Sequence, residues 1–216
     1  MAESSKTTEP SGRHHLKRLL SERNQCPDRI AGIDEQIRRA FERKVAILVL
    51  DMCGFSRLTI AYGIIHYLAM IRQMEVAATP AVIDNGGQVI KQEADNLFAI
   101  FDDPEQALEG ALDIFRVLDA VNEVVPDERD IYGSIGIGYG DTLVIGDEDL
   151  FGVEMNLASK LGEDLAERRE ILITPAAYKA LPANRYACKS VRFSISGLEL
   201  QAYSFEKRLP AVKQGG

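Results

Sequence analysis

The sequence predicts an α+β fold with a ferredoxin-like βαββαβ core, followed by an additional C-terminal helix and further strands. One observation behind this prediction is a continuous apolar run at residues 45–50, which is typical of a strand covered on both faces. Another is a pair of short strand-like runs, 88–93 and 96–101, which follow the turn sequence Asn85-Gly86-Gly87. Helical spacing before and after this hairpin completes the order strand, helix, strand, strand, helix, strand.

The chain ahead of the first strand divides into two parts. Residues up to about 13 are rich in Ser, Thr, Glu, Pro and Gly, so we expect residues 1–15 to form a flexible tail. In the segment 16–44, apolar residues from Ile30 to Phe41 recur at steps of three and four, which predicts an N-terminal helical extension. This extension either packs on the domain or pairs with its own copy. A surface helix without a signalling role is an equal alternative.

The core elements have recognisable signals. Residues 57–81 place apolar side chains at helical intervals, including Tyr62, Ile65 and Leu68. Asp103 and Pro104 supply a cap and a first-turn proline for a second helix. The remaining elements are predicted strands at 131–138, 142–145 and 171–174, a helix at 156–166, and a closing hairpin at 191–195 and 200–205.

Composition narrows the classes of function. A net charge of −8 and a pI near 5.0 argue against nucleic acid as a partner, because counterion release requires a basic surface. The longest apolar runs fall far short of the roughly 20 residues of a membrane-spanning helix, so we expect no membrane partner. Cys26, Cys53 and Cys188 are far apart and lack metal-site spacing, which suits a reducing cytoplasm.

Two carboxylates are expected to converge at one edge of the sheet. Asp51 ends the first strand, and Asp95 lies in the hairpin that is expected beside that strand. Like charges at close range repel unless a cation joins them, and hard oxygen ligands suit magnesium. Acids also end strands as caps or turn formers, so spacing alone leaves both interpretations open.

Three short motifs add specificity to this pattern. They are Leu50-Asp-Met-Cys-Gly-Phe-Ser56, Lys91-Gln-Glu-Ala-Asp95 and Asn156-Leu-Ala-Ser-Lys-Leu161. In this order and on these elements they resemble the class III adenylate and guanylate cyclases, over about residues 45–207. The resemblance implies the class III cyclase fold, with a nucleotidyl cyclase catalytic domain at 45–208. Residues 209–216, beyond this domain, are expected to form a second flexible tail.

The resemblance implies that the site binds metal ions and substrate phosphates. Asp51, Met52 and Asp95 are then the metal-binding residues for two Mg²⁺ or Mn²⁺ ions. Glycine lets the backbone approach a phosphate closely, and a helix N-terminus offers N–H groups with a positive field. Substrate phosphates are accordingly expected at the turn formed by Gly54, Phe55 and Ser56.

The resemblance also implies how the base and the transition state are bound. Lys91 and Asp149 are expected to recognise the base, in a combination typical of adenylate cyclases, so ATP is the expected substrate. Asn156 and Lys160 are four residues apart on one helical face and are expected to act on the ribose and the phosphate. Sites of this family form between head-to-tail protomers, which implies a homodimer with shared active sites.

The sequence departs from the family pattern at several positions. Ala94 stands where the family usually has glycine, which looks like a mild change. Lys160 replaces an arginine and lacks the planar fork that grips two phosphate oxygens. The segment 140–149 is shorter than the family's dimer-embracing hairpin. A phosphate-binding lysine near the last strand is missing, with Arg192 as the candidate substitute.

Two alternatives stay open on the sequence alone. One is a cyclase for another base, either guanine or a pyrimidine, because only two residues carry the base assignment. The other is a non-catalytic, cyclase-like module that binds nucleotide or a partner and regulates another activity. Both aspartates argue against the second alternative, whereas Lys160 and the missing lysine favour it.

Overall fold

One mixed sheet organises the protein. A computed structural model describes residues 12–195 and 198–210, and its strands are β1 (Glu42–Met52), β2 (Gln88–Glu93), β3 (Asn96–Phe101), β4 (Gly133–Ile145), β5 (Asp149–Phe151), β6 (Ile171–Ile173), β7 (Tyr186–Ile195) and β8 (Leu198–Arg208). Their order across the sheet is β2-β3-β1-β4-β6-β8-β7, and β5 pairs with β4. The α-helices are α1 (Gly12–Gln25), α2 (Ile30–Phe41), α3 (Phe55–Tyr62), α4 (Ile64–Asp84), α5 (Pro104–Asn122), α6 (Val153–Ser159) and α7 (Pro175–Ala180).

The predicted core order is confirmed. Strand β1 lies between β3 and β4 and is antiparallel to both, while β2 completes the hairpin with β3. The predicted cap of the second core helix is also present, because the Asp103 carboxylate accepts hydrogen bonds from the Glu105 and Gln106 N–H groups at 2.9 and 3.0 Å. Among the described residues, no helix is both long and apolar enough to cross a membrane.

The two strands predicted at 131–138 and 142–145 are one strand, β4. Its residues pair with β1 in an unbroken ladder from Gly133, opposite Met52, to Leu143, opposite Glu42. This long ladder keeps the turn-like Gly140 and Asp141 extended, so tertiary pairing overrides their local preference. The short segment that follows is a tight hairpin in which Ile145 pairs with Asp149.

The N-terminal extension consists of two helices rather than one. A 3-10 turn at Pro27–Arg29 separates α1 from α2, because proline cannot continue a helix that reaches it from the N-terminal side. Helix α1 begins at Gly12, so residues 12–15 are helical and the prediction that they belong to a flexible tail is wrong. In the tail predicted at 209–216, the Leu209 N–H donates to the Arg185 carbonyl at 2.8 Å, so Leu209 is still joined to the end of the β7–β8 hairpin. The other predicted tail residues, 1–11 and 211–216, lie outside the described residues.

The helix predicted at 57–81 is divided in two by Gly63, whose φ is +84°. The predicted apolar face is also wrong in part, since Ile65 and Leu68 are 81% and 55% exposed. Helix α4 instead buries Tyr67 and Met74 against the sheet. The helix has apolar residues on both sides, so periodicity could not decide which side meets the core.

The sheet packs a core on each of its faces, as the continuous apolar run in β1 predicted. Ala46, Leu48 and Leu50 point into the larger core, which residues of α4 and α5 complete. Val45, Ile47 and Val49 point to the opposite face, where Met155 and Ala158 of α6 cover them. Because side chains alternate along a strand, Asp51 continues the second series and lies on the α6 face.

Helix α6 packs directly on the sheet backbone. The helix predicted at 156–166 begins earlier, at Val153, and changes after Ser159 into a π-helical segment at Lys160–Leu165. A Cβ at Gly136 would collide with the Ala158 carbonyl and lie 2.6 Å from the Gly162 nitrogen. The absence of a side chain at this contact lets α6 and the π-helical segment approach β4 and β1.

Candidate active site

Asp51 and Asp95 lie next to each other at the end of β1. Asp51 is opposite Asn96 in the antiparallel ladder, and Asp95 directly precedes Asn96 at the tip of the hairpin. Burial, followed by the nearby charges of Asp95, Glu163 and Asp164, raises the pKa of Asp51 from 3.8 to about 7. Negative charge on Asp51 is therefore unfavourable in the protein alone, and a bound cation would relieve the repulsion.

The donor set at this position suits a hard cation that also binds substrate. In the described part of the chain, no cluster of three or more His, Cys, Asp or Glu side chains could enclose a metal ion. Mg²⁺ is commonly bound by one or two carboxylates, with waters and substrate phosphates filling the other positions. Asp51 and Asp95 fit that mode of binding, with the Met52 carbonyl as a neighbouring oxygen.

A buried tyrosine orients the second aspartate of this pair. The Tyr67 hydroxyl donates a hydrogen bond to Asp95 Oδ2 at 2.6 Å and lies 3.5 Å from the Met52 carbonyl oxygen. Burial, together with the bond to Asp95, raises the pKa of Tyr67, so the hydroxyl keeps its proton and acts as a donor. Helix α4 thereby holds both the hairpin tip and the end of β1.

The turn after β1 has the geometry of a tight strand-to-helix connection. Gly54 has a φ of +101°, a value that favours glycine, and its carbonyl accepts the Leu58 N–H at 3.0 Å in the first turn of α3. The Phe55 ring meets the Tyr67 ring edge-on, with the ring centroids 4.9 Å apart. Ser56 is exposed beside it at the start of α3.

A β-bulge directs Lys91 towards the α6 face. Val89 pairs with Ala99, whereas Lys91 pairs with Phe98, so Ile90 is the extra residue on β2. Without the bulge, Lys91 would be opposite Leu97 and would point into the larger core. With it, the Lys91 ammonium lies 4.7 Å from the centroid of the Phe98 ring.

Lys91 forms an ion pair with Asp149. The Lys91 Nζ lies 2.9 Å from Asp149 Oδ1 and 2.6 Å from Glu93 Oε2. Burial opposes the charge on Lys91, but the hydrogen bonds to Glu93 and Asp149 outweigh it and raise the pKa of Lys91. Burial likewise opposes the charge on Asp149, but Lys91, the Leu150 N–H and Arg13 hold the pKa of Asp149 below its ordinary value. Both groups therefore stay charged.

Asn156 and Lys160 lie on the helix that covers this face. The Lys160 N–H bonds to the Asn156 carbonyl, so the two residues are one helical turn apart. Asn156 is exposed, while the Lys160 Nζ pairs with Asp164 at 2.6 Å. Among the described residues, no hydrogen bond or ion pair joins either of them to Lys91, Asp149 or Asp51.

The amino-acid sequence is similar to those of proteins named adenylate cyclases. No protein-family model matches the chain. The chain is 33% identical over 146 residues to "Putative adenylate cyclase 3" of Rhizobium meliloti and 29% identical over 157 residues to an adenylate cyclase of Streptomyces coelicolor. The matches cover 67% and 73% of this chain but only 24% and 38% of the two relatives.

The fold is also similar to that of a solved cyclase structure, over almost the whole length of that structure. An adenylate/guanylate cyclase/hydrolase from Silicibacter pomeroyi matches with a TM-score of 0.63 at 25% identity, covering 76% of this chain and 96% of that chain. The chain folds as a class III nucleotidyl cyclase catalytic domain. The expectation of this fold from the sequence motifs is thereby confirmed.

Three residues around the site of this cyclase domain had no signal in the sequence. Tyr67 is one of several apolar or aromatic residues on α4, and nothing in its spacing indicates a bond to Asp95. Glu163 and Asp164 occupy the π-helical segment and influence Asp51 through space. Only the packing of α4 and of that segment brings these residues to the end of β1.

Ala94 is a more severe departure from the family pattern than the sequence suggested. It is the first residue of the two-residue loop between β2 and β3, and its φ is +52°. Glycine adopts positive φ without steric cost, whereas other L-residues lose roughly 1–2 kcal/mol there. The expectation of a mild change is therefore wrong, and backbone strain lies directly beside Asp95.

Ala94→Gly is expected to stabilise the cyclase domain. Removal of the left-handed strain gains about 1–2 kcal/mol, and the greater freedom of glycine in the unfolded chain costs about 0.4–1 kcal/mol. The difference raises the melting temperature by about 2–4 °C for a domain of this size. Thermal unfolding followed by circular dichroism measures the change. Ala183→Gly, in an exposed loop without positive φ, is the control and should lower stability slightly; equal shifts for both variants would contradict the strain.

Proposed function

We propose that this domain, at residues 45–208, converts ATP to 3′,5′-cyclic AMP and pyrophosphate. The ribose 3′ oxygen loses its proton and bonds to the α-phosphorus, while the bond from that phosphorus to the bridging oxygen of the β-phosphate breaks. The observation that carries the choice of ATP is the ion pair between Lys91 and Asp149. The relatives named adenylate cyclase support the same choice.

The hydrogen-bonding character of the pair matches adenine. An ammonium only donates, so Lys91 suits the acceptor nitrogens of the adenine ring. A carboxylate only accepts, so Asp149 suits the exocyclic amino group. Guanine presents a carbonyl acceptor where adenine has that amino group, and a carbonyl facing Asp149 would be repelled. Both side chains are largely buried, which makes an unpaired partner costly.

In the proposed site, Asp51, Asp95 and the Met52 carbonyl hold the metal ions. Two Mg²⁺ or Mn²⁺ ions bound there supply Lewis-acid activation of the ribose hydroxyl and neutralise charge on the phosphates. The raised pKa of Asp51 supports this assignment, because a cation offsets the repulsion from its acidic neighbours. Tyr67 keeps Asp95 oriented while remaining protonated.

The remaining contacts of the substrate follow from the turn and from α6. Gly54, Phe55 and Ser56 bind phosphate through backbone N–H groups at the start of α3. Asn156 orients the ribose, and Lys160 stabilises the negative charge that develops on the phosphate. Lys160 carries its charge as a point on a flexible stem and is shared with Asp164, so we expect weaker stabilisation than an arginine would give.

We infer that the site is completed by a second copy of the chain. Asn156 lies on α6, seven and eight residues before Glu163 and Asp164, whose charges act on Asp51, so Asn156 and these acidic residues are about two helical turns apart. Within one protomer, Asn156 therefore lies apart from the proposed metal ligands, and a second protomer would have to supply the asparagine of each site. The apolar side chains exposed on α3 and α4, including Ile60, Ile65 and Leu68, support a protein interface close to the Gly54 turn.

The proposal places the reaction in the cytoplasm. Cys26, Cys53 and Cys188 are all unpaired, which fits a reducing compartment. Burial, the largest influence, also raises the pKa of Cys53 next to the proposed metal ligands. The thiol there stays protonated and does not compete for hard cations.

A product assay tests the proposed function directly. Pure protein is incubated separately with ATP, GTP, CTP and UTP in the presence of Mn²⁺, and the products are identified by mass spectrometry. We expect cyclic AMP with pyrophosphate as the main products. Predominant cyclisation of another nucleotide would contradict the base assignment, and binding of ATP without any cyclic product would instead support a non-catalytic module.

Lys91→Glu combined with Asp149→Cys is expected to lower the preference for ATP over GTP. Two hydrogen bonds to adenine are lost, at about 1–1.5 kcal/mol each, which corresponds to about a 100-fold fall in the ratio of kcat/KM values. Initial rates with each nucleotide measure the ratio. Lys189→Gln, which makes the same net charge change of one unit on the exposed strand β7, is the control and should leave the ratio unchanged. An unaltered ratio in the double variant would refute the base assignment.

A further inference from the structure

The N-terminal helix α1 contacts the proposed base-recognition residues. The Arg13 Nη2 lies 3.0 Å from Asp149 Oδ2 and also donates to the Glu148 carbonyl at 3.1 Å. The Arg13 backbone N–H, in the first turn of α1, donates to Glu148 Oε2 at 2.9 Å. Three polar contacts thus connect the start of α1 to the residues at the start of β5.

Apolar packing holds α1 in this position. Leu16 and Leu19 are buried in a small core with Ile33 and Ile37 of α2. Ile145, the last residue of β4, belongs to the same core, and a Cβ at Gly12 would lie 3.3 Å from its Cγ2 atom. The contact of Arg13 is therefore part of a packed interface between α1 and the hairpin that carries Asp149.

The two oxygens of Asp149 have different partners. Oδ1 accepts from the Lys91 ammonium at 2.9 Å and from the Leu150 N–H at 2.9 Å. Oδ2 lies 3.0 Å from Arg13. Contacts at both oxygens fix the orientation of the carboxylate group. Contacts at Oδ1 alone would hold that oxygen in place but would allow the carboxylate to rotate and Oδ2 to change position. The direction in which Asp149 presents its acceptor thus depends on Arg13.

We propose that Arg13 is a positioning residue that sets the preference for ATP over GTP by fixing the orientation of the Asp149 carboxylate. The proposal rests on the proposed function, since it assumes that Asp149 recognises the base. Arg13 lies in the N-terminal extension, outside the part of the sequence that resembles the cyclases. The selectivity of this domain therefore includes a residue that the family motifs do not contain.

Replacement of Arg13 separates a positioning role from a structural one. In Arg13→Ala the carboxylate loses its Oδ2 contact, and we expect the ATP to GTP ratio of kcat/KM values to fall at least about fivefold, mainly through a higher KM for ATP. Arg13→Lys keeps a cationic donor at this position and should retain at least half of the wild-type ratio. Arg18→Ala removes an exposed arginine of the same helix and should leave the ratio unchanged.

The dissociation constants of ATP and GTP provide a second measurement that does not depend on turnover. We expect their ratio, measured by isothermal titration calorimetry, to shift in Arg13→Ala in the same direction as the kinetic ratio. An unchanged binding ratio, or an equal loss for both nucleotides, would overturn the positioning role and leave Arg13 with a purely structural one. A wild-type protein that binds ATP selectively but forms no cyclic product would refute the proposed reaction, while the binding ratio of Arg13→Ala would still test this proposal.

Discussion

Asp51→Asn and Asp95→Asn are each expected to reduce cyclisation of ATP by about a thousandfold while the domain remains folded. Asparagine has nearly the same shape as aspartate but no negative charge, so it binds Mg²⁺ or Mn²⁺ poorly. Metal ions supply several kcal/mol of transition-state stabilisation, and each 1.36 kcal/mol is a factor of ten in rate. Rates of cyclic AMP formation with saturating Mn²⁺ measure the loss of activity. Circular dichroism spectra of each variant show whether the domain remains folded.

The stability of the metal-free protein provides a second test of Asp51. The pKa of Asp51 is raised from 3.8 to about 7, so the folded protein holds this proton more tightly than the unfolded chain. The stability that Asp51 contributes by holding this proton is therefore present below about pH 4 and is lost as the pH rises to about 7. Above about pH 7 the charged, half-buried Asp51 destabilises the folded protein, and Asp51→Asn removes this cost. We expect the melting temperature at pH 8 without metal to rise by about 2–4 °C, or about 1 kcal/mol after allowance for solvent screening.

Mn²⁺ should affect wild-type protein and the variant differently. Binding to the folded state alone stabilises wild-type protein by RT ln(1 + c/Kd), where c is the concentration of free Mn²⁺, so its melting temperature rises with that concentration, and Asp51→Asn should lose most of that rise. Asp141→Asn, at an exposed carboxylate on β4, is the matched control and should behave like wild type. Undiminished turnover in Asp51→Asn, or a full response to Mn²⁺, would refute the assignment of Asp51 as a metal ligand.

Local signals in the sequence were sufficient for the framework of the fold. The apolar run in β1 indicated a strand buried on both faces because each of its side chains must pack somewhere. The pair Asp103 and Pro104 marked the start of α5 because a cap and a first-turn proline act within a few residues. Such signals depend on neighbours in the chain and can be interpreted without knowledge of the tertiary structure.

The orientation of the site residues could not be predicted in the same way. The interval between Lys91 and Asp95 is visible in the sequence, but the bulge at Ile90 decides that Lys91 faces α6 rather than the core. Likewise, Tyr67 reaches Asp95 and Arg13 reaches Asp149 across 28 and 136 positions of the chain. These contacts depend on how helices pack against the sheet, and no spacing rule connects such residues.

Two inactive variants, Asp51→Ala and Asn156→Ala, are expected to restore activity when they are mixed. If each site takes its metal ligands from one protomer and its asparagine from the other, a mixed dimer contains one site with both lesions and one intact site. Random exchange makes about half of the dimers mixed, so about a quarter of the wild-type activity per chain should return. Rates of the mixture and of each variant alone measure the recovery.

The structure decides how the mixing experiment has to be run. The hairpin between Ile145 and Asp149 is short, so the proposed dimer would lack an extended arm, and we expect it to dissociate at low concentration. Mixing is therefore performed at high protein concentration, and exchange is verified with two differently labelled subunits. The control mixture, Asp51→Ala with Asp95→Ala, places both lesions on the same half of the site and should stay inactive, because every site in any dimer then lacks one metal ligand. If exchange is verified and the first mixture is no more active than this control, Asn156 acts on the metal site of its own chain and the shared-site arrangement is wrong.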